Sequence, residues 1–299
     1  MGYAHIGNLY KNTDILMFRE AFALEKIHGT SAHVARKDGT ATFFSGGEKH
    51  ANFIALFDPT LPDRLGTAGE SLTIYGEAYG GKMQGMKDTY GPALRFVAFD
   101  VRIGQCWLSV PDAADIVRGL GLEFVHYERI STDLAAIDAQ RDADSVQAIR
   151  NGVGPGKKRE GIVLRPIIEV RKNNGDRIIA KHKRDDFAER RTPPAVRDRL
   201  AVLSDAEKIA DEWVTPMRLV HILNKLPAAS SIKHTPLVMA AMVEDVQREA
   251  AGEIVASPAV ARAIRRRAAQ LFKAHIKGSL LSFRGGEQTM STTNDGGPS

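Results

Sequence analysis

The chain has 299 residues, 43% of them apolar and 26% charged, and a net charge of +5. That length leaves room for about two globular domains, and no repeat or low-complexity tract competes with this reading. The single cysteine, Cys106, excludes an intramolecular disulfide framework and any multi-cysteine metal site.

No apolar N-terminal segment resembles a signal peptide, and runs such as Leu237–Val243 are too short to span a bilayer. A soluble protein of a reducing cytoplasm is expected, with no membrane partner. In chain order, a helix is predicted from Thr13 to Phe22, capped by Asn12 or Thr13. The stretch "ALEKIHGTSAHVARKDGT" (23–40) follows, with lysines near glycine at Lys26 and Lys37. Asp38-Gly39 marks a two-residue hairpin, because that turn needs positive φ. Strands are predicted at Thr40–Phe44, Leu72–Tyr75, Arg95–Val101, Gly161–Pro166 and Arg177–Lys183, and a helix at Pro111–Leu120. Strands with few helices between them indicate an α+β fold with a mainly antiparallel sheet.

The character changes after "RRTPP" (190–194). Ser204 to Glu207 reads as a capping box ahead of Ile209, Ala210 and Trp213. Thr215-Pro216, Thr235-Pro236 and Ser257-Pro258 each read as a helix start. In the last helix Val260, Ile264, Ala268 and Leu271 share one face, with Arg262, Arg266, Lys273 and Lys277 opposite. Three segments are therefore predicted: 1–192, an all-α unit at 193–284, and a disordered tail at 285–299. Charge is segregated too. Residues 150–191 hold 13 Lys and Arg against 6 Asp and Glu, and residues 261–278 hold six basic residues and no acidic one. Such basic regions on an otherwise acidic body are either solvated faces or a footprint for a polyanion.

A lysine nucleophile must be neutral to attack, and at an ordinary pKa only about one in a thousand is neutral near pH 7.4. An active lysine therefore needs burial, cations or a metal around it. Lys26 follows the apolar run Ala21–Leu24 and precedes Ile27, so partial burial is expected; Gly29 lets the backbone approach a ligand. Alone, this spacing equally fits an exposed lysine at a helix–strand junction. Lys37 directly precedes the Asp-Gly turn and reads as structural. Four stretches accompany Lys26: "IYGEAYGG" (74–81) with Glu77, "LRFVAFDV" (94–101) with Phe99-Asp100, "REGIVLRP" (159–166) with Glu160, and "IIAKHKRDD" (178–186). The last puts Lys181 and Lys183 on one strand face.

In this order the five stretches resemble the covalent nucleotidyltransferases, the polynucleotide ligases and mRNA capping enzymes. His28 stands where DNA ligases and capping enzymes usually carry aspartate. With "IGNLYKN" and "VTPMRLVHILNKL" in addition, the chain looks like the RNA ligase 2 family, which includes RNA-editing ligases. The resemblance implies an ATP-grasp-like nucleotidyltransferase domain of mainly antiparallel sheets with flanking helices, followed by a small helical RNA-binding domain. It implies ATP as cofactor, AMP carried covalently on Lys26, and Mg²⁺ or Mn²⁺ held by Glu160 and Asp100. The catalytic set becomes Lys26, His28, Lys181 and Lys183. The nucleotide set adds Glu25 through its backbone, Ile27, Gly29, Glu77 for a ribose hydroxyl, Phe99 for adenine, and Glu160. The implied partners are a nicked or broken RNA duplex, an RNA–DNA hybrid and an end-healing kinase-phosphatase, met by a monomer. One departure stands out: Gly46 and Gly47 in "FFSGGEKH" fall where the family usually has an arginine, and Lys49 offers only a point charge. Competing readings are a DNA ligase, a GTP-dependent guanylyltransferase and a catalytically weak RNA-binding homologue.

Overall fold

The computed structural model describes residues 2–68, 71–187, 206–226 and 228–287, the side chains of 279–287 excepted. They form two compact units, one ending at Phe187 and one beginning at Ala206. The boundary expected at 192 and the Ser204 capping box lie outside the described residues.

In the first unit the elements run β1 (Glu20–Lys26), β2 (Thr30–Lys37), β3 (Thr40–Ser45), α1 (His50–Ile54), α2 (Leu61–Thr67), β4 (Ser71–Gly80), α3 (Lys87–Tyr90) and β5 (Leu94–Ile103). They continue with β6 (Cys106–Trp107), α4 (Val110–Gly119), β7 (Tyr127–Ser131), α5 (Leu134–Asp142), α6 (Val146–Arg150), β8 (Gly161–Pro166) and β9 (Ala180–Lys183). All strand pairs are antiparallel, in a four-stranded sheet of order β7-β1-β8-β9 and a five-stranded sheet of order β3-β2-β4-β5-β6. The fold is α+β.

The helix predicted at Thr13–Phe22 is corrected. Thr13–Met17 makes only a 3-10 turn, and the chain is extended from Glu20. The sequence "EAFALEK" is rich in helix formers, but it sits between β7 and β8, and five of its seven residues are buried. Phe22 and Leu24 join a core with Tyr79 and Val97, while Ala21 and Ala23 join a separate core with Ile137 and Leu164. Burial on both faces overrides local propensity. The β2–β3 hairpin turns at Asp38 and Gly39, both with positive φ (50° and 76°), as an Asp-Gly turn requires. Lys37 is exposed beside that turn.

The second unit holds α7 (Ala206–Trp213), α8 (Pro216–Lys225), α9 (Thr235–Glu249) and α10 (Pro258–Glu287). Thr215 and Ser257 cap their helices as expected, accepting from the backbone of Arg218 and Val260. Thr235 does not cap: it already lies inside α9, preceded by a 3-10 turn that Ser231 and His234 close. Val260, Ile264 and Ala268 are buried with Trp213 and Phe272, whereas Arg262, Arg266, Lys273 and Lys277 are exposed. α10 runs past residue 285 to Glu287, and residues 288–299 lie outside the described ones. Among the described residues no helix is long and apolar enough to cross a membrane.

Candidate active site

The register of the four-stranded sheet sets the first half of the site. Lys26 ends β1 opposite Gly161 of β8, and Gly161 lies opposite Lys183 of β9. Lys181, two residues back, shares the strand face of Lys183 and pairs with Val163. Gly161 has φ of +152°, and a Cβ there would lie 2.2 Å from the His182 carbonyl and 2.7 Å from Lys183 Cα. A side chain at this point would force β8 and β9 apart in the row that holds both lysines. Gly161→Ala is therefore expected to destabilise the unit by about 2 kcal/mol or more and to lower its melting midpoint, read by calorimetry.

Glu160 immediately precedes this row and is buried. Its Oε2 lies 2.9 Å from Lys26 Nζ and 3.3 Å from His28 Nδ1, and its Oε1 lies 2.9 Å from Lys183 Nζ. Burial would raise its pKa, but Lys183, Lys26 and His28 outweigh that and hold the carboxyl well below the usual carboxylate range. His28 is buried too, its ring against Phe187 (5.4 Å between centroids) and its backbone N–H donating to the Tyr90 hydroxyl (3.3 Å).

Glu77, on β4 of the other sheet, completes the cluster. Gly29 brings the chain against it: a Cβ on Gly29 would meet the Ala78 carbonyl at 2.3 Å, Tyr79 Cβ at 2.8 Å and Glu77 Cγ at 3.0 Å. Burial pushes the Glu77 carboxyl up to about 7, Lys26 pulls it down, and Glu160 adds to the rise. The Gly29 amide works against the rise in the Glu77 pKa. An acid whose pKa rises on folding binds its proton more tightly in the native state. Stability is thus fully present below the ordinary value of 4.5 and is lost as pH rises towards about 7. Glu77→Gln is expected to melt progressively higher than wild type across that window, with a constant difference above it. A difference independent of pH would contradict this environment.

Not every predicted residue joins the cluster. The Glu25 carboxylate caps α6 instead, accepting from Ser145 Oγ (2.5 Å) and from the amides of Val146 (3.0 Å) and Gln147 (3.2 Å). This leaves only its backbone available to a nucleotide. Ile27 is buried in the main core. Phe99 is the extra residue of a β-bulge, since Tyr75 faces Asp100 and Gly76 faces Ala98. Its ring meets Tyr3 edge-on at 4.9 Å.

Asp100, expected with Glu160 as a metal ligand, lies apart from the lysine cluster in an ion network. It is fully buried, Oδ1 accepts from Arg165 (2.9 Å), and Oδ2 accepts from Arg177 (2.6 Å) and the Tyr3 hydroxyl (2.6 Å). Glu169 engages both arginines from the other side, and Arg177 lies 4.1 Å over the Trp107 ring. Both Asp100 oxygens serve this ion network. Lys49, exposed at the start of α1, pairs its amide with Glu48, and nothing in its surroundings supplies the bidentate fork of an arginine.

Among the described residues no three His, Cys, Asp or Glu side chains group as a ready-made metal cage. Glu160 and Glu77 offer hard oxygens, which suits a magnesium-type ion that takes its other ligands from phosphates and water. The residues thus fit a metal that arrives with a nucleotide.

A family model described as RNA ligase matches residues 19–183. No curated protein matches significantly. Solved structures of the Naegleria gruberi RNA ligase are similar. An alanine variant with ATP and Mn has a TM-score of 0.50 at 15% identity, covering 62% of this chain and 57% of that one. An apo variant and a second variant with ATP and Mn give 0.50 at 16%, with the same coverage. At such identity the likeness shows a shared fold, and this chain spans 57% of the length of those proteins. The matched span contains every residue of the Lys26–Glu160–Lys183 cluster, and the chain belongs to the RNA ligase family.

Proposed function

We propose that this protein is an ATP-dependent RNA ligase that joins 3′-OH and 5′-phosphate ends, principally at nicks in duplex RNA. The observation that carries this reading is Glu160 gripping Lys26, His28 and Lys183 at once, with Glu77 beside them. A carboxylate shared by two lysines and a histidine marks a place built for a larger anion: phosphates of a nucleotide can take over Lys183 and release Lys26. The solved Naegleria structures with ATP and Mn support the nucleotide and the metal.

In the first step Lys26 leaves Glu160 and loses a proton, its Nζ bonds the α-phosphorus of ATP, and the bond to the bridging oxygen breaks as pyrophosphate departs. In the second, a 5′-phosphate oxygen of RNA displaces Lys26 from that phosphorus, and the lysine regains a proton. In the third, a 3′-OH attacks the activated 5′-phosphorus and AMP leaves. Lys181 and Lys183 offset phosphate charge, Phe99 presents an aromatic face to adenine, and Glu77 accepts from a ribose hydroxyl. His28, held beside Glu160, serves the RNA-dependent steps. A divalent ion held by Glu160 would withdraw charge from the phosphates when bound. The exposed arginines and lysines of α10 would contact the duplex backbone without reading sequence. That stripe is partly neutralised already, because Arg266 pairs with Glu207.

The test is a strand-composition series on one nicked duplex, with ATP or GTP supplied. Sealing with ATP is expected when RNA flanks the nick. Preference for an all-DNA nick, or for GTP, would overturn the assignment.

A further inference from the structure

The sheet face that carries Glu77 extends away from Lys26 across β4, β2 and β3. Glu77 pairs with Ser31, and the Gly46 amide, just past β3, donates to the Ser31 carbonyl (2.9 Å). The next row is aromatic, with Tyr75 opposite His33 and His33 opposite Phe44. The His33 and Phe44 rings stack with centroids 5.0 Å apart and planes 23° apart, and His33 meets Tyr75 at 5.9 Å. Tyr75 in turn touches Tyr3 (5.1 Å), which touches Phe99. One aromatic run therefore leads from Phe99 to Phe44, and Phe44 is 47% exposed.

A lone exposed phenylalanine is ordinary. This one is backed by a stacked imidazole, continues a site face, and has small neighbours. Beyond Glu77 itself, Ser31, His33, Ala35, Thr42, Phe44 and Thr73 share the face and add no carboxylate to it. A protein partner needs roughly 800 Å² of complementary surface, which one ring among serine, threonine and glycine does not offer. A nucleobase needs a single ring face.

We propose that Phe44, supported by His33, is a stacking platform for a nucleobase of the RNA being joined. This rests on the ligase reading. The platform acts in the two RNA-dependent steps by ordering the strand along the sheet face. Base stacking is sequence-tolerant, so the platform holds any base.

The experiment measures single-turnover sealing of pre-adenylylated nicked RNA by the full chain. Phe44→Ala is expected to seal about tenfold to hundredfold more slowly, and Phe44→Tyr and Phe44→Trp to restore the rate. Phe44→Leu keeps apolar bulk without the ring and should show the same loss, which separates stacking from folding. The new indole of Phe44→Trp should be quenched by nicked RNA beyond the wild-type change. Wild-type sealing by Phe44→Ala or Phe44→Leu would overturn the proposal. So would an unquenched indole, or a concentration-dependent oligomer that Phe44→Ala abolishes. Failure of wild type to carry AMP from ATP would instead overturn the ligase reading itself.

Discussion

Glu160→Gln is expected to lower covalent nucleotide transfer by about 10²–10³-fold. The carboxylate is buried, and its two oxygens hold Lys26, His28 and Lys183 at 2.9, 3.3 and 2.9 Å. The amide keeps the shape but removes the charge, so two lysines and His28 lose their common anchor. Its nitrogen would also face one of those donors with a donor of its own. The Glu77 carboxyl gives a second readout, because Glu160 contributes to its raised pKa. In Glu160→Gln the pH window over which Glu77 costs stability should therefore narrow. Near-wild-type transfer by this variant, measured with saturating ATP and metal, would show that Glu160 is only an ion-pair partner.

Asp100→Ala is the second large effect, and it falls on stability. Removing this carboxylate takes from Arg165, 1% exposed, and Arg177 one of the two anions that they share. Breaking a buried ion pair from one side costs about 3–5 kcal/mol, because the stranded charge remains desolvated. Glu169 also bonds both guanidinium groups, which places the effect towards the lower end. For a unit of this size the melting midpoint is expected to fall by roughly 6–20 °C. Burial raises the Tyr3 hydroxyl pKa well above its ordinary value, with Asp100 adding to the rise, so Tyr3 stays a neutral donor to this network. A loss below about 1 kcal/mol would mean that the network is dispensable.

The cluster was legible because each part carries a local signature. Lys26-x-x-Gly29 needs its glycine where the loop meets Glu77, and the Lys181-x-Lys183 spacing is the strand period. The Asp38-Gly39 turn was legible for the same reason. What escaped the sequence is long-range pairing. The Glu25 carboxylate is spent on Ser145 and α6, 120 residues away, and no spacing announces that. Asp100 looked like a metal ligand because an acid beside Phe99 at a strand end suggests one. Its partners Arg165 and Arg177 appear only once β8 and the segment between β8 and β9 are folded against β5. Only the start of β1, Glu20–Phe22, was read as helix, because "EAFALEK" has helical propensity and only its two strand neighbours decide otherwise. Tyr90 and Phe187, which enclose His28, lie far from it in sequence and in no recognisable motif.

The most direct test of the central claim is covalent labelling. The protein is incubated with ATP labelled at the α-phosphate and a divalent metal, and the adenylylated peptide is mapped. The account predicts an acid-labile AMP on Lys26, no label on Lys26→Ala, and wild-type labelling of Lys37→Ala. An unlabelled wild-type protein, or undiminished label on Lys26→Ala, would contradict it.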